Sequence, residues 1–128
     1  GIAPLTTSDK LMQAAQVRAD EMAASGAYSH TRPDGRKYTT VTDCKYVGEN
    51  IHRIADWALQ GKPVSEVAMW SWNHSAGHQN NLLDKSYAEI GVGLARGVNE
   101  DGYECWYCVQ LFLWNGYSVS WVDAPAAK

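Results

Sequence analysis

The chain has 128 residues, 45% of them hydrophobic and 20% charged, and carries a net charge of −3 at neutral pH. That length suits one domain spanning 1–128 with a core of its own, and the balance excludes a disordered chain. No run nears the roughly 20 apolar residues that cross a bilayer, and the scattered basic residues exclude a nucleic-acid footprint.

Gly1-Ile2-Ala3-Pro4 has neither the basic start nor the apolar core of a signal peptide. Thr6-Thr7-Ser8-Asp9 then predicts a helix N-terminus, with hydroxyl caps and an acid in the first turn. Leu11, Ala14, Ala15, Arg18, Ala19, Met22 and Ala23 recur with helical period. The pattern buries Leu11, Ala15, Ala19 and Met22 and turns Lys10, Gln13, Asp20 and Glu21 outward. Ser25-Gly26 stops the helix near Ala24.

Tyr28 to Arg36 reads as a loop bent at Pro33-Asp34-Gly35. Taken alone, His30 is a solvent-exposed loop histidine. Gly48-Glu49-Asn50-Ile51 reads as the cap of a helix-like segment from Asn50 to Ala58. Gly61-Lys62-Pro63 is a break, and Pro63 suits the first turn of a second helix. Val64, Val67, Ala68 and Ser71 share one face of it, while Glu66 is solvated or pairs with the helix dipole.

That helix leads into Trp70-Ser71-Trp72-Asn73-His74-Ser75-Ala76-Gly77-His78, followed by amides and Leu82-Leu83. His74 and His78 have the spacing of two ligands one helical turn apart, but Gly77 lies between them and weakens a helix. The expectation is a helix ending near Ser75 with His78 on the loop beyond. Only His78 then faces a site, anchored by Trp70, Trp72, Leu82 and Leu83.

The last third is strand-like. Glu89 to Ala95 alternates branched residues with glycine and alanine, leaving one face bare enough for a helix or ligand to approach. Asn99-Glu100-Asp101-Gly102 is a turn. Glu104 to Trp114 then sets Trp106, Cys108, Gln110 and Phe112 on one face and Tyr107, Val109, Leu111 and Leu113 on the other. Both faces are apolar, so this strand belongs at the centre of a sheet covered on both sides. The expected class is α+β, with an antiparallel sheet of about three strands between helices.

Three cysteines, Cys44, Cys105 and Cys108, cannot all pair within the chain. Cys105-Trp106-Tyr107-Cys108 has the C-x-x-C form but lies in a strand. There, positions three apart face opposite sides about 10 Å apart, too far for a disulfide. These read as packing cysteines, with a bridge from Cys44 to one of them left open.

Six segments occur in a telling order: Arg18 to Met22, Tyr28 to Arg36, Gly48 to Ile51, Trp72-x-x-Ser75-x-Gly77-His78-x-x-Asn81-Leu82-Leu83, Ile90 to Ala95, and Val109 to Phe112. Together they resemble the CAP superfamily of cysteine-rich secretory proteins, antigen 5 and pathogenesis-related proteins, in its bacterial SCP-like branch. The resemblance implies an α-β-α sandwich, usually secreted, with a central cleft of two histidines and two glutamates. In some members that cleft holds a divalent metal such as zinc. The first histidine falls on His30, the first glutamate on Glu49 and the second histidine on His78. Ser75 stands where the second glutamate is usual, and His52, His74 and Glu66 have no counterpart. The resemblance further implies that the family's first helix is missing, which opens an apolar groove.

Two functions follow from the resemblance. His30, Glu49 and His78 match the His₂Glu set of zinc sites, within a secreted module that binds an extracellular protein or an apolar lipid or sterol. Alternatively the cleft is that of a hydrolase, metal-dependent or built on Ser75 and His78 with Glu49 orienting. Binding is the favoured reading, with catalytic candidates His30, Glu49, Ser75 and His78.

Overall fold

The computed structural model describes residues 6–73 and 87–127. In chain order the elements are β1 (Thr6–Thr7), α1 (Asp9–Ser25), β2 (Val47–Ala55), α2 (Val64–Asn73), β3 (Tyr87–Val98) and β4 (Glu104–Trp114). Short 3₁₀ turns stand at Tyr38–Val41 and Asp56–Leu59. Among the described residues, no helix is long and apolar enough to cross a membrane.

Both ends of α1 close as the sequence predicts. The Ser8 hydroxyl accepts the Leu11 amide at 3.4 Å, and Asp9 sits in the first turn. At the other end Gly26 adopts φ 73° and its amide donates to the Met22 carbonyl at 2.8 Å.

The sheet order is β1-β3-β4-β2. β4 is central, antiparallel to β3 on one side and to β2 on the other. The sheet has four strands rather than three, and it is mixed. Thr6–Thr7 pairs in parallel with Glu89–Ile90 at the edge of β3, a two-residue contact too short to leave a period-2 signal. A second correction concerns Asn50 to Ala58. Val47–Ala55 is a strand in continuous register with β4, from Val47 opposite Leu113 to Ala55 opposite Cys105. A partner distant in sequence overrides the local capping pattern.

The two faces of β4 carry the residues that its alternation assigns to them. Tyr107, Val109, Leu111 and Leu113 join Leu11, Ala15, Ala19 and Met22 beneath α1. On the reverse face, Cys108 packs with Ile54, Ala68 and Trp72, flanked by Val64, Val67 and Trp106. Trp72 is 1% exposed, and its indole N–H donates to the Ile51 carbonyl at 3.3 Å. Trp70 is 62% exposed, whereas Trp72 is part of this buried cluster. On the α2 side Asn50 Nδ2 donates to Gln110 Oε1 at 3.1 Å across the strands.

α1 lies almost directly on β3. A Cβ at Gly91 would fall on the Leu11 carbonyl, one at Gly93 on the Ala15 carbonyl, and one at Gly97 within 2.7 Å of the Ala23 oxygen. The bare face of β3 is therefore filled by the helix backbone.

All three cysteines are buried free thiols. Cys105 belongs to the core under α1 and Cys108 to the core under α2, so the C-x-x-C pair is split by the sheet. Burial, reinforced by Cys105, pushes the Cys108 thiol up to about 12. At neutral pH it stays protonated and is neither a ready nucleophile nor a metal ligand.

Candidate functional site

The site grows from an ion network under the α1 face of the sheet. Glu49 sits on β2 between Val47 and Ile51, which both face α1, and so points at the helix. Arg18 answers it from α1. Its Nε donates to Glu49 Oε2 at 2.7 Å and one Nη to Glu49 Oε1 at 3.1 Å, a bidentate pairing. Both side chains are fully buried. One helical turn on, Glu21 takes the other Arg18 nitrogen at 2.8 Å. Burial works against the Arg18 charge, but the hydrogen bonds and charges of Glu49 and Glu21 outweigh it and raise its pKa.

Glu21 is therefore not the outward residue that helical periodicity predicts. It is completely buried, and it also binds Arg32, with Nε at 3.0 Å from Oε1 and an Nη at 3.1 Å from Oε2. Arg32 reaches it from the loop after α1 and is itself 1% exposed. Buried charges alternate through Glu49, Arg18, Glu21 and Arg32, so each is compensated by its neighbours.

His30 stands on this network. Its Nδ1 lies 2.7 Å from Glu49 Oε1, while the side chain remains 54% exposed. The loop holds it from three sides. Arg18 donates to the Ser29 carbonyl at 2.6 Å, just before His30. The His30 carbonyl accepts the Tyr38 amide at 3.0 Å, and the Tyr38 ring lies 5.9 Å from the imidazole. Beyond it, the Pro-Asp-Gly turn closes with the Gly35 amide on the Arg32 carbonyl at 2.9 Å and the Arg32 amide on the Arg36 carbonyl at 2.7 Å. His30 is thus exposed, as loop composition suggests, yet fixed in direction by a buried carboxylate.

This geometry has a chemical consequence. Arg18 makes the Glu49 carboxylate an acceptor, so His30 Nδ1 donates to it. A neutral imidazole held this way is the Nδ1–H tautomer, with its Nε2 lone pair on the far side of the ring. Carboxylate behind, imidazole in front is the arrangement that presents a histidine to a metal or a polar ligand. His30 Nε2 is the one donor that this arrangement directs outward, and Glu49 fixes it. Among the described residues, no three or more His, Cys, Asp or Glu side chains cluster to hold a metal.

His30 and Glu49 are thus brought together. Ser75, His78 and His74, with Leu82 and Leu83, lie outside the described residues. His52 lies across from Cys108 in the β2–β4 register, three positions along β2 from Glu49 and therefore on its other face. Glu66 is exposed and lines a cavity of about 190 Å³ with Leu59, Lys62, Val67 and Trp70, between α2 and the turn before it. Sequence reasoning missed Arg18, Glu21 and Arg32 as site residues. Arg18 had left one signal, its place in the periodic stripe of α1.

Residues 1–112 match the model of the CAP family, described as the cysteine-rich secretory protein family. The uncharacterized protein YkwD of Bacillus subtilis (strain 168) is 26% identical over 98 residues, covering 73% of this chain and 35% of that protein. The chain therefore spans about a third of that relative's length. An outer surface protein from Borrelia burgdorferi shares the fold with a TM-score of 0.59 at 19% identity, over 88% of this chain and 78% of that one. With the family's model matched over most of this chain and the α+β architecture in place, the chain belongs to the CAP family.

Proposed function

We propose that this domain is an extracellular binding module whose cleft presents the Nε2 atom of His30, together with His78, to a divalent metal such as zinc. Glu49 grips His30 from behind and fixes the direction of that Nε2, with Arg18 holding the carboxylate in place. One observation carries the reading: the 2.7 Å contact between His30 Nδ1 and a Glu49 carboxylate that Arg18 holds from its other side. An exposed histidine needs no such backing unless its direction matters. The extracellular placement is supported by the secretory description of the family and by the outer-surface name of the structural neighbour.

Glu49 shares both oxygens with Arg18, so in the hydrolase alternative it would orient a histidine and not serve as the general base, which needs a carboxylate available to a proton. The partner fits an extracellular protein or an apolar ligand such as a lipid or sterol. Trp57, Trp70 and Trp121 are exposed and offer broad amphipathic contacts.

Calorimetric titration with zinc tests the proposal. The wild-type chain is expected to show one saturable site, lost in His30→Ala and in His78→Ala. Saturation that survives both substitutions together would refute the reading, as would no binding by the wild type.

A further inference from the structure

The family match ends at residue 112, yet the ion network continues beyond it. The segment from Val119 to Ala126 runs back across the loop that carries His30. Its backbone is stitched down along Val41 to Asp43. The Asp123 amide donates to the Val41 carbonyl at 2.8 Å, Val122 bridges to Thr42, and the Ser120 amide donates to Asp43 Oδ1 at 3.0 Å. Four contacts then enter the network. Asp123 Oδ2 accepts from Arg32 and from Arg36, each at 2.9 Å. The Ala124 carbonyl accepts from Arg32 at 3.1 Å, and the Ala126 amide donates to Glu21 Oε2 at 2.8 Å.

We propose that this C-terminal segment is a positioning strap for His30, with Asp123 and the Ala126 amide as its working contacts. A buried guanidinium must have its donors filled. Thr40, Asp123 and Ala124 take the Arg32 donors that Glu21 does not. Without the strap's contacts, Arg32 loses Asp123 and Ala124 as acceptors and Glu21 loses the Ala126 amide as a donor. Glu21 also holds Arg18, and Arg18 holds both the Glu49 carboxylate and the Ser29 carbonyl. Two routes therefore lead from the strap to His30, one through the carboxylate on its ring and one through the backbone just before it. The strap adds no ligand. It fixes the direction of one, which ties the segment outside the family match to the family's own site.

The inference rests on the proposed function only in taking His30 Nε2 as the atom that matters. The test accordingly reads the metal-free protein first. Nitrogen-15 NMR of the imidazole distinguishes the Nδ1–H from the Nε2–H tautomer. Wild type is expected to show Nδ1–H, and the double variant Asp123→Ala with Ala126→Pro a mixture of the two, with the sheet intact by circular dichroism. The conservative pair Asp123→Glu with Ala126→Gly keeps the carboxylate and the N–H, and should keep the wild-type signature. Zinc affinity should fall about tenfold in the first pair and recover in the second. Should the double variant fail to fold, Ala126→Pro alone carries the same reading, since it deletes one donor at the end of the strap. An unchanged tautomer in the folded variants overturns the proposal, as does an equal change in both pairs. If the tautomer shifts as expected but wild type binds no zinc, the strap stands and the metal reading falls.

Discussion

Arg18→Met is expected to destabilise the domain by about 3–5 kcal/mol, because it leaves Glu49 and Glu21 as uncompensated charges in the interior. Arg18 is the hub of the network: its guanidinium meets both glutamates and the Ser29 carbonyl, and none of its side chain is exposed. Methionine preserves the length and the apolar stem, so the loss is electrostatic and not one of volume. In a domain of this size the melting temperature should drop by roughly 10 °C or more. Urea denaturation followed by tryptophan fluorescence measures it. Adding Glu49→Gln to Arg18→Met should recover part of the loss, because the two sites are coupled. A loss below about 1 kcal/mol for Arg18→Met, a value typical of exposed pairs, would mean that solvent reaches the network and that Glu49 is not locked behind His30.

A second large effect is expected at Gly91. A Cβ there would collide with the Leu11 carbonyl and lie 2.6 Å from the Met12 amide nitrogen. Both are backbone atoms that no rotamer change can move aside. Gly91→Ala should push the N-terminal turns of α1 away from β3 and cost about 3 kcal/mol, the scale of an overpacked core. The consequence reaches the site, since α1 also carries Arg18. Chemical denaturation of the variant, with hydrogen exchange of the α1 amides, checks both. A change under about 0.5 kcal/mol, the scale of an ordinary surface substitution, would show that the helix rides more loosely on the sheet than the glycines imply.

The sequence makes some of this legible, and the reasons differ from element to element. β4 is readable because both of its faces are covered, so an unbroken apolar run identifies a central strand. The glycines of β3 are readable because close approach leaves no alternative residue. β2 is not, because its strand state depends on hydrogen bonds to β4 and its first residues look like a helix cap. β1 is too short to carry a period at all. Glu21 misleads for a physical reason. Periodicity assigns charge to the outside, and that assignment is reversed by Arg18 one turn earlier together with partners distant in sequence, Arg32 and the Ala126 amide.

The pairing of His30 with Glu49 follows from the family resemblance and not from any spacing between them. Nothing local says that a loop histidine and a strand carboxylate 19 residues on will meet. What the resemblance omits is the support beneath them. Arg18 leaves only its place in the α1 stripe, and Glu21, Arg32 and Asp123 become visible as its support only when the fold closes, because a buried charge network has no sequence period of its own. Among the described residues the structure shows an imidazole aimed by the buried carboxylate behind it.

That claim is tested most directly by locating zinc in crystals of the protein by its anomalous scattering. The account predicts a peak about 2.0–2.1 Å from Nε2 of His30, the usual zinc–imidazole distance, with Glu49 still paired to Arg18. A peak bonded to the Glu49 carboxylate with Arg18 displaced, or no peak at His30, would contradict it.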